Sequence, residues 1–163
     1  MCKVAERHTV PEVTVRWMVR GDCQRVSEIS KEVMEYRPPL TQREAVIALK
    51  QKTIVGAVAE IHFDQHHSQI GGFAFVSTAS EKTCELVIAC VDSRWQREGI
   101  GDLILEHVER ISRHIGYSEY SAVVHEREVV AQFWLQANGY ECSHIHKNFD
   151  GPESAYIFTK RLK

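Results

Sequence analysis

Along most of this chain, stretches in which apolar and polar residues alternate give way to stretches in which apolar residues recur every third or fourth position. Val13 to Val19 alternates, which predicts a first strand. Asp22 stands next as a helix cap, and Cys23, Val26, Ile29, Val33 and Met34 follow at helical spacing on one face. Pro38-Pro39 ends that helix, because neither ring nitrogen can donate a hydrogen bond. Thr41-Gln42-Arg43-Glu44 has the capping-box spacing and opens a second, shorter helix with Val46, Ile47 and Leu49.

Three strand-like runs come next, Thr53 to Phe63, Gln69 to Val76 and Glu85 to Val91, joined by the polar turns Asp64 to Ser68 and Ser77 to Thr83. Short connections between neighbouring runs predict an antiparallel meander. The third run is apolar at almost every position, as a strand buried on both faces would be. Gly99 to Ile115 carries Ile100, Leu103, Ile104, Val108, Ile111 and Ile115 at helical spacing, with Gly116 as its C-terminal cap. Glu119 to His125 reads as a strand. Glu128 to Asn138 reads as a helix closed by Gly139, with Val129, Val130, Phe133, Trp134 and Ala137 directed inward. Tyr140 to His146 and Ala155 to Leu162 read as closing strands around Asp150-Gly151-Pro152. The order β-α-α-β-β-β-α-β-α-β-β predicts an α/β (α+β) fold, a mixed and mostly antiparallel central sheet with helices on both faces. Residues 1–12 read as a flexible lead-in to a single domain over 13–163.

Composition narrows the function classes. A chain of 163 residues fits one domain, and 44% apolar with 26% charged residues is ordinary for a globular protein. A net charge of −2 gives no basic field for nucleic acid. The chain has no apolar run long enough for a membrane span and no signal-peptide pattern at its start, so a cytoplasmic location is expected. Five cysteines without a Cys-x-x-Cys pair favour free thiols over a disulfide frame or a zinc site. His62, His66 and His67 beside Asp64 read as a solvated turn, and no metal is expected.

The chemistry concentrates between Val87 and Leu105. An apolar strand runs into Asp92-Ser93-Arg94-Trp95, then Gln96-Arg97-Glu98-Gly99-Ile100-Gly101, then the amphipathic helix. Glycines at a helix start let a ligand approach the backbone, and the first helical amides lack partners and carry the positive end of the dipole. Such a turn suits a diphosphate. A Walker loop would need Gly-Lys-Ser/Thr, which is absent, and a dinucleotide fingerprint would need a further glycine.

Gln96-Arg97-Glu98-Gly99-Ile100-Gly101 resembles the Gln/Arg-x-x-Gly-x-Gly/Ala signature of the GNAT acetyltransferases. Val124 to Tyr140 resembles that superfamily's strand, helix and closing Gly-aromatic pair, and the likeness runs over roughly 13–162. Val15 to Asp22 and Glu153 to Phe158 resemble the bacterial ribosomal-protein alanine N-acetyltransferases. Ile70 to Phe75 and Glu85 to Val91 also resemble the histone acetyltransferase branch.

The resemblance implies acetyl-CoA as cosubstrate and a primary amine as acceptor, attacked directly without a covalent enzyme intermediate. It implies that the backbone of Ala89, Cys90 and Val91 lies beside the pantetheine arm. It implies that the turn of Gln96, Arg97, Glu98, Gly99, Ile100, Gly101 and Asp102 holds the diphosphate. Two family groups are missing: the tyrosine thought to serve the thiolate falls at Leu135, and a strand carboxylate falls at Val123. The family's asparagine at the last helix start becomes Glu128. Glu85, where the histone branch carries its base, is the expected general base. His125, on the same strand face as Val123, is the second candidate. Tyr36-Arg37-Pro38-Pro39-Leu40 lies where the family builds an acceptor-facing loop, but lacks the aromatic-rich form of the alanine N-acetyltransferases. The acceptor is then a peptide or protein N-terminus, with a small-amine transferase and a catalytically silent acyl-CoA-binding module as alternatives. GNAT domains often dimerise, so a homodimer is a further expectation.

Overall fold

A computed structural model describes residues 11–163, so the lead-in expected over 1–12 lies almost wholly outside the described residues. The strands are β1 (Glu12–Trp17), β2 (Ile54–His62), β3 (Ser68–Ser77), β4 (Thr83–Val91), β5 (Glu119–His125), β6 (Glu141–Asp150) and β7 (Glu153–Arg161). The helices are α1 (Cys23–Val33), α2 (Gln42–Lys50), α3 (Ile100–Ile115) and α4 (Val129–Ala137). One seven-stranded sheet has the order β1-β2-β3-β4-β5-β7-β6. The β2–β3–β4 meander is antiparallel, as the short turns predict. Among the described residues only β4 and β5 run parallel, and α3 provides the crossover that a parallel pair requires.

Both sheet faces are covered. Ile100, Ile104, Leu105 and Val108 of α3 pack with Ala57, Ala59, Ala74 and Leu86 on one face. Cys23, Val26 and Ile29 of α1 and Ala45 of α2 pack with Val58, Phe73 and Phe75 on the other. Full burial of each such aliphatic side chain contributes about 1.5–3 kcal/mol. The capping box on α2 forms as read: the Glu44 amide donates to Thr41 Oγ1 at 3.2 Å and the Thr41 amide donates to Glu44 Oε2 at 2.8 Å.

Three expectations are corrected. Asp22 does not cap α1 with its side chain. Its carboxylate turns back to accept from the Val19 amide at 2.8 Å and from Arg16 at 2.9 and 3.0 Å, which ties β1 to the start of the helix. The second correction concerns β4, which is not buried on both faces: Glu85, Val87 and Ala89 are exposed. Its pairing with β5 stops at Leu86, so the apolar run lines an open cleft instead of a closed core. The third concerns α4, which turns Ala131, Trp134 and Leu135 inward and leaves Val129, Val130 and Phe133 at 50%, 84% and 68% exposure; Ala137 is exposed as well. This helix is apolar nearly all round, so periodicity could not choose its buried face. A hydrogen bond from Trp134 Nε1 to Asp102 of α3, at 2.8 Å, does.

Candidate active site

The parallel ladder joins β4 to β5 only from Thr83↔Glu119 to Leu86↔Ala122. Beyond it β4 stays with β3 as far as Val91, while β5 stays with β7 as far as His125. The strands diverge, and a cavity of about 940 Å³ opens between them. The β3–β4 register shifts where Phe75 faces Ile88 and Val76 faces Leu86, so Val87 is a bulged residue at the point of divergence.

The free edge of β4 can be assigned residue by residue. The Asp92 amide donates to the Gly71 carbonyl at 2.9 Å, so alternate residues going backward, Cys90 and Ile88, turn their backbone groups toward β3. Val91 faces the cleft, where its carbonyl accepts from Gln96 Nε2 at 3.0 Å. Val87 faces it too, accepting a long 3.4 Å bond from Arg37. Ala89 lies between them on the same side. Of the three residues expected beside an extended ligand, Cys90 turns its backbone groups toward β3, and Ala89 and Val91 turn theirs toward the cleft. The Cys90 side chain is buried on the α1 side, and burial pushes its thiol up to about 12.

At the wide end of the cleft lies the turn into α3. Arg97 and Gly99 both adopt left-handed backbone, at φ 64° and 79°. The first amides of α3 have no partner within the helix, as at any helix start. Of the seven turn residues expected to bind, all but Glu98 line the cavity. Asp102 Oδ1 accepts from Trp134 Nε1 at 2.8 Å and from Asn138 Nδ2 at 2.9 Å, which holds its carboxylate toward α4. Behind the turn, the fully buried Asp92 anchors the loop. It accepts from the Arg94 amide at 2.9 Å and Arg94 Nη2 at 2.8 Å, and it pairs with Arg25 of α1. Its hydrogen bonds to Arg94, with the nearby Arg25 charge, hold its carboxyl down at about 2.

At the narrow mouth, the α1–α2 connection lays Tyr36 and Arg37 against β5. Tyr36 stacks on His125 with rings 6.5 Å apart and 4° from parallel. Arg37 Nη2 donates to the Val123 carbonyl at 2.8 Å and lies 3.6 Å from Glu128 Oε2. Glu128 in turn accepts from the His125 amide at 2.8 Å.

The two expected proton carriers stand apart from the cavity lining. Glu85 is exposed on β4, beside the last paired rungs, without the apolar surroundings the sequence led us to expect. His125 is buried with both ring nitrogens engaged: Nε2 meets Glu153 at 2.7 Å, and Nδ1 accepts from the Arg127 amide at 3.3 Å. That network assigns the proton to Nε2. Glu128 and Arg37, which do line the cavity, received no role from the sequence. Glu128 was visible as a departure at the helix start, and Arg37 as part of the loop. No metal-binding cluster of His, Cys, Asp and Glu forms among the described residues.

The model of the acetyltransferase (GNAT) family matches residues 16–140. No curated protein matches the sequence. The ribosomal-protein-S18-alanine N-acetyltransferase from Escherichia coli is similar in structure, with a TM-score of 0.76 at 18% identity over 93% of this chain and 95% of that one. Ard1 from Thermoplasma volcanium aligns with a TM-score of 0.78 at 17% identity, over 93% of this chain and 98% of its own. NAA60 from Arabidopsis thaliana, solved in complex with acetyl-CoA, aligns with a TM-score of 0.78 at 15% identity, over 93% and 99%. At these identities the likeness shows the fold.

Proposed function

The chain belongs to the acetyltransferase (GNAT) family, and from that premise we propose that it passes the acetyl group of acetyl-CoA to the amine of a peptide or protein N-terminus. The observation that carries this reading is one cleft lined by both a free strand edge and the start of a helix. An extended amide-bearing arm fits the edge at Ala89 and Val91, and a diphosphate fits the turn from Arg97 to Asp102. The neighbour solved with acetyl-CoA is of the same fold.

Acetyl-CoA supplies a thioester, whose carbonyl carbon bonds to the amine nitrogen as the carbon–sulfur bond breaks and CoA leaves as the thiol. The chain has to hold the two substrates in line and take one proton from the incoming ammonium, because only the neutral amine is a nucleophile. Glu85, an exposed carboxylate two residues before the bulged Val87 and outside the cavity lining, takes that proton through water in this reading. His125, held by Glu153 and the Arg127 amide, keeps the turn from β5 into α4 in shape. Leu135 is 1% exposed and has no proton to give, so in this reading the thiolate takes its proton from water. The Cys90 thiol, held protonated by burial, is no acyl carrier, which favours direct transfer.

A small amine is the second acceptor class. Glu35 and Glu128 line the cleft and suit a cation. The valine at 123 and leucine at 135 favour instead a silent acyl-CoA-binding module. Calorimetric titration with acetyl-CoA, followed by thiol release against peptides and small amines, separates these readings. Binding with turnover on peptides supports the proposal, and turnover on small amines alone moves the acceptor to the second class. Binding without turnover on any acceptor leaves the module, and no binding overturns all three.

A further inference from the structure

Arg37 stands where an acceptor has to arrive. Transfer requires the amine to reach the point where β4 and β5 part, and there the guanidinium bridges the Val87 and Val123 carbonyls and faces Glu128. Two backbone carbonyls from separate strands and one carboxylate converge on this spot, and all three are acceptors of positive hydrogen-bond donors. The carbonyls are free because the ladder has ended, so no neighbouring strand satisfies them. The other charges nearby are spent elsewhere: Glu153 pairs with both Arg127 and His125. Arg37 itself is half-buried, its Val87 bond is long at 3.4 Å, and its contact with Glu128 is 3.6 Å. The geometry is that of a cation held by its setting and not locked in place.

We propose that the Val87 carbonyl, the Val123 carbonyl and the Glu128 carboxylate form a cation subsite that Arg37 fills at rest and the acceptor's ammonium takes over. This deepens the reading above, on which it rests. Glu128 then touches the acceptor nitrogen and aligns it, while Arg37 competes with every acceptor for the same three oxygens. Only the Arg37 side chain has to swing away, since the Leu40 amide stays anchored to Ser30 Oγ at 2.6 Å and Tyr36 stays on His125.

The test uses n-butylamine as acceptor with saturating acetyl-CoA. Removing an internal competitor lowers KM without improving chemistry, so Arg37→Ala should reduce KM about three- to tenfold with kcat little changed. Arg37→Met, which keeps most of the side chain's bulk, should do the same. Glu128→Gln should raise KM, and in the double variant the gain from Arg37→Ala should shrink, because the two act on one subsite. A KM for Arg37→Ala that stays level or rises overturns the proposal, for it would mean that Arg37 orients the acceptor or does nothing. The subsite is also read without turnover, by NMR titration of n-butylammonium into the apoprotein. In Arg37→Ala the amides of Ile88, Val124 and Glu128 should shift at concentrations that leave the unsubstituted protein unmoved, and no difference between the two overturns the proposal. Shifts with no thiol release from n-butylamine or from any peptide acceptor would retain the subsite while the transferase reading fails.

Discussion

Arg97 carries a side chain at φ 64°, a region that favours glycine, and Gly99 two residues on sits at φ 79° with open space around it. A non-glycine residue there is strained by about 1 kcal/mol or more. Arg97→Gly should therefore stabilise the apoprotein by up to about 1 kcal/mol in urea unfolding, while weakening CoA binding through loss of a positive charge. Gly99→Val should lower stability by about 1–3 kcal/mol and weaken CoA binding together, since the β-branched side chain resists that backbone and crowds the approach to the amides. CoA affinity unchanged in the valine variant would remove the diphosphate from this turn. For the proton, Glu85→Gln should cut kcat while leaving CoA affinity intact. An unaltered kcat would take Glu85 out of the chemistry.

At the scale of elements, the junction between β4 and α3 depends on one buried carboxylate. Asp92 joins the turn to α1 through Arg25 and to its own loop through Arg94. Its carboxyl is held at about 2 against an ordinary 3.8, first by the Arg94 hydrogen bond. A depressed folded-state value contributes stability that is fully present above about pH 4 and is lost as the pH falls through about 2, some 2 kcal/mol in all. Asp92→Asn should lower stability at neutral pH by about 2–4 kcal/mol, because Arg25 loses its buried partner. It should also flatten the loss of stability between about pH 4 and pH 2 in acid titration. If the variant unfolds with acid along the original curve, Asp92 is not the anchor described here.

For the molecule as a whole, the two halves split by the cleft are tied at its closed side. Tyr140 donates to Glu109 of α3 at 2.7 Å, and Lys160 of β7 donates to the same carboxylate at 2.8 Å. Burial and the Glu109 charge push the Tyr140 phenol far up, so it remains a neutral donor throughout the working range. Lys160→Met leaves a buried carboxylate without its cation and should cost about 3–5 kcal/mol, whereas Tyr140→Phe should cost about 1–3 kcal/mol, both read by denaturant unfolding. Across the open side, among the described residues, no protein bonds bridge β4 and β5 beyond Leu86 except through Arg37. A cosubstrate lying there should stiffen the whole domain, and acetyl-CoA at 100 times its Kd should add about 2.7 kcal/mol, seen as a rise in Tm that grows with concentration.

The order of elements could be read from the chain because it depends on local periodicity, turn residues and caps, which neighbouring residues specify among themselves. The Thr41–Glu44 box, the left-handed Gly116 after α3 and the antiparallel meander formed as predicted. The turn into α3 was equally legible, since Gly99 at a helix start and the unpartnered first amides are consequences of sequence spacing. Other features could not be read that way. Where β4 and β5 part depends on how far two strands remote in sequence stay within hydrogen-bonding distance, so an apolar strand bound for a ligand cleft looked like one bound for the core. The buried face of α4 depends on where α3 lies, because a helix apolar nearly all round carries no phase of its own. Glu128 and Arg37 lie far apart in the chain, and only the fold brings their charges to the Val87 and Val123 carbonyls. The sequence by itself determined the family, the elements and the glycine turn into α3. The tertiary structure decided which backbone groups are left unpaired and which charges meet them, because pairing is a matter of distance in space and not of spacing along the chain.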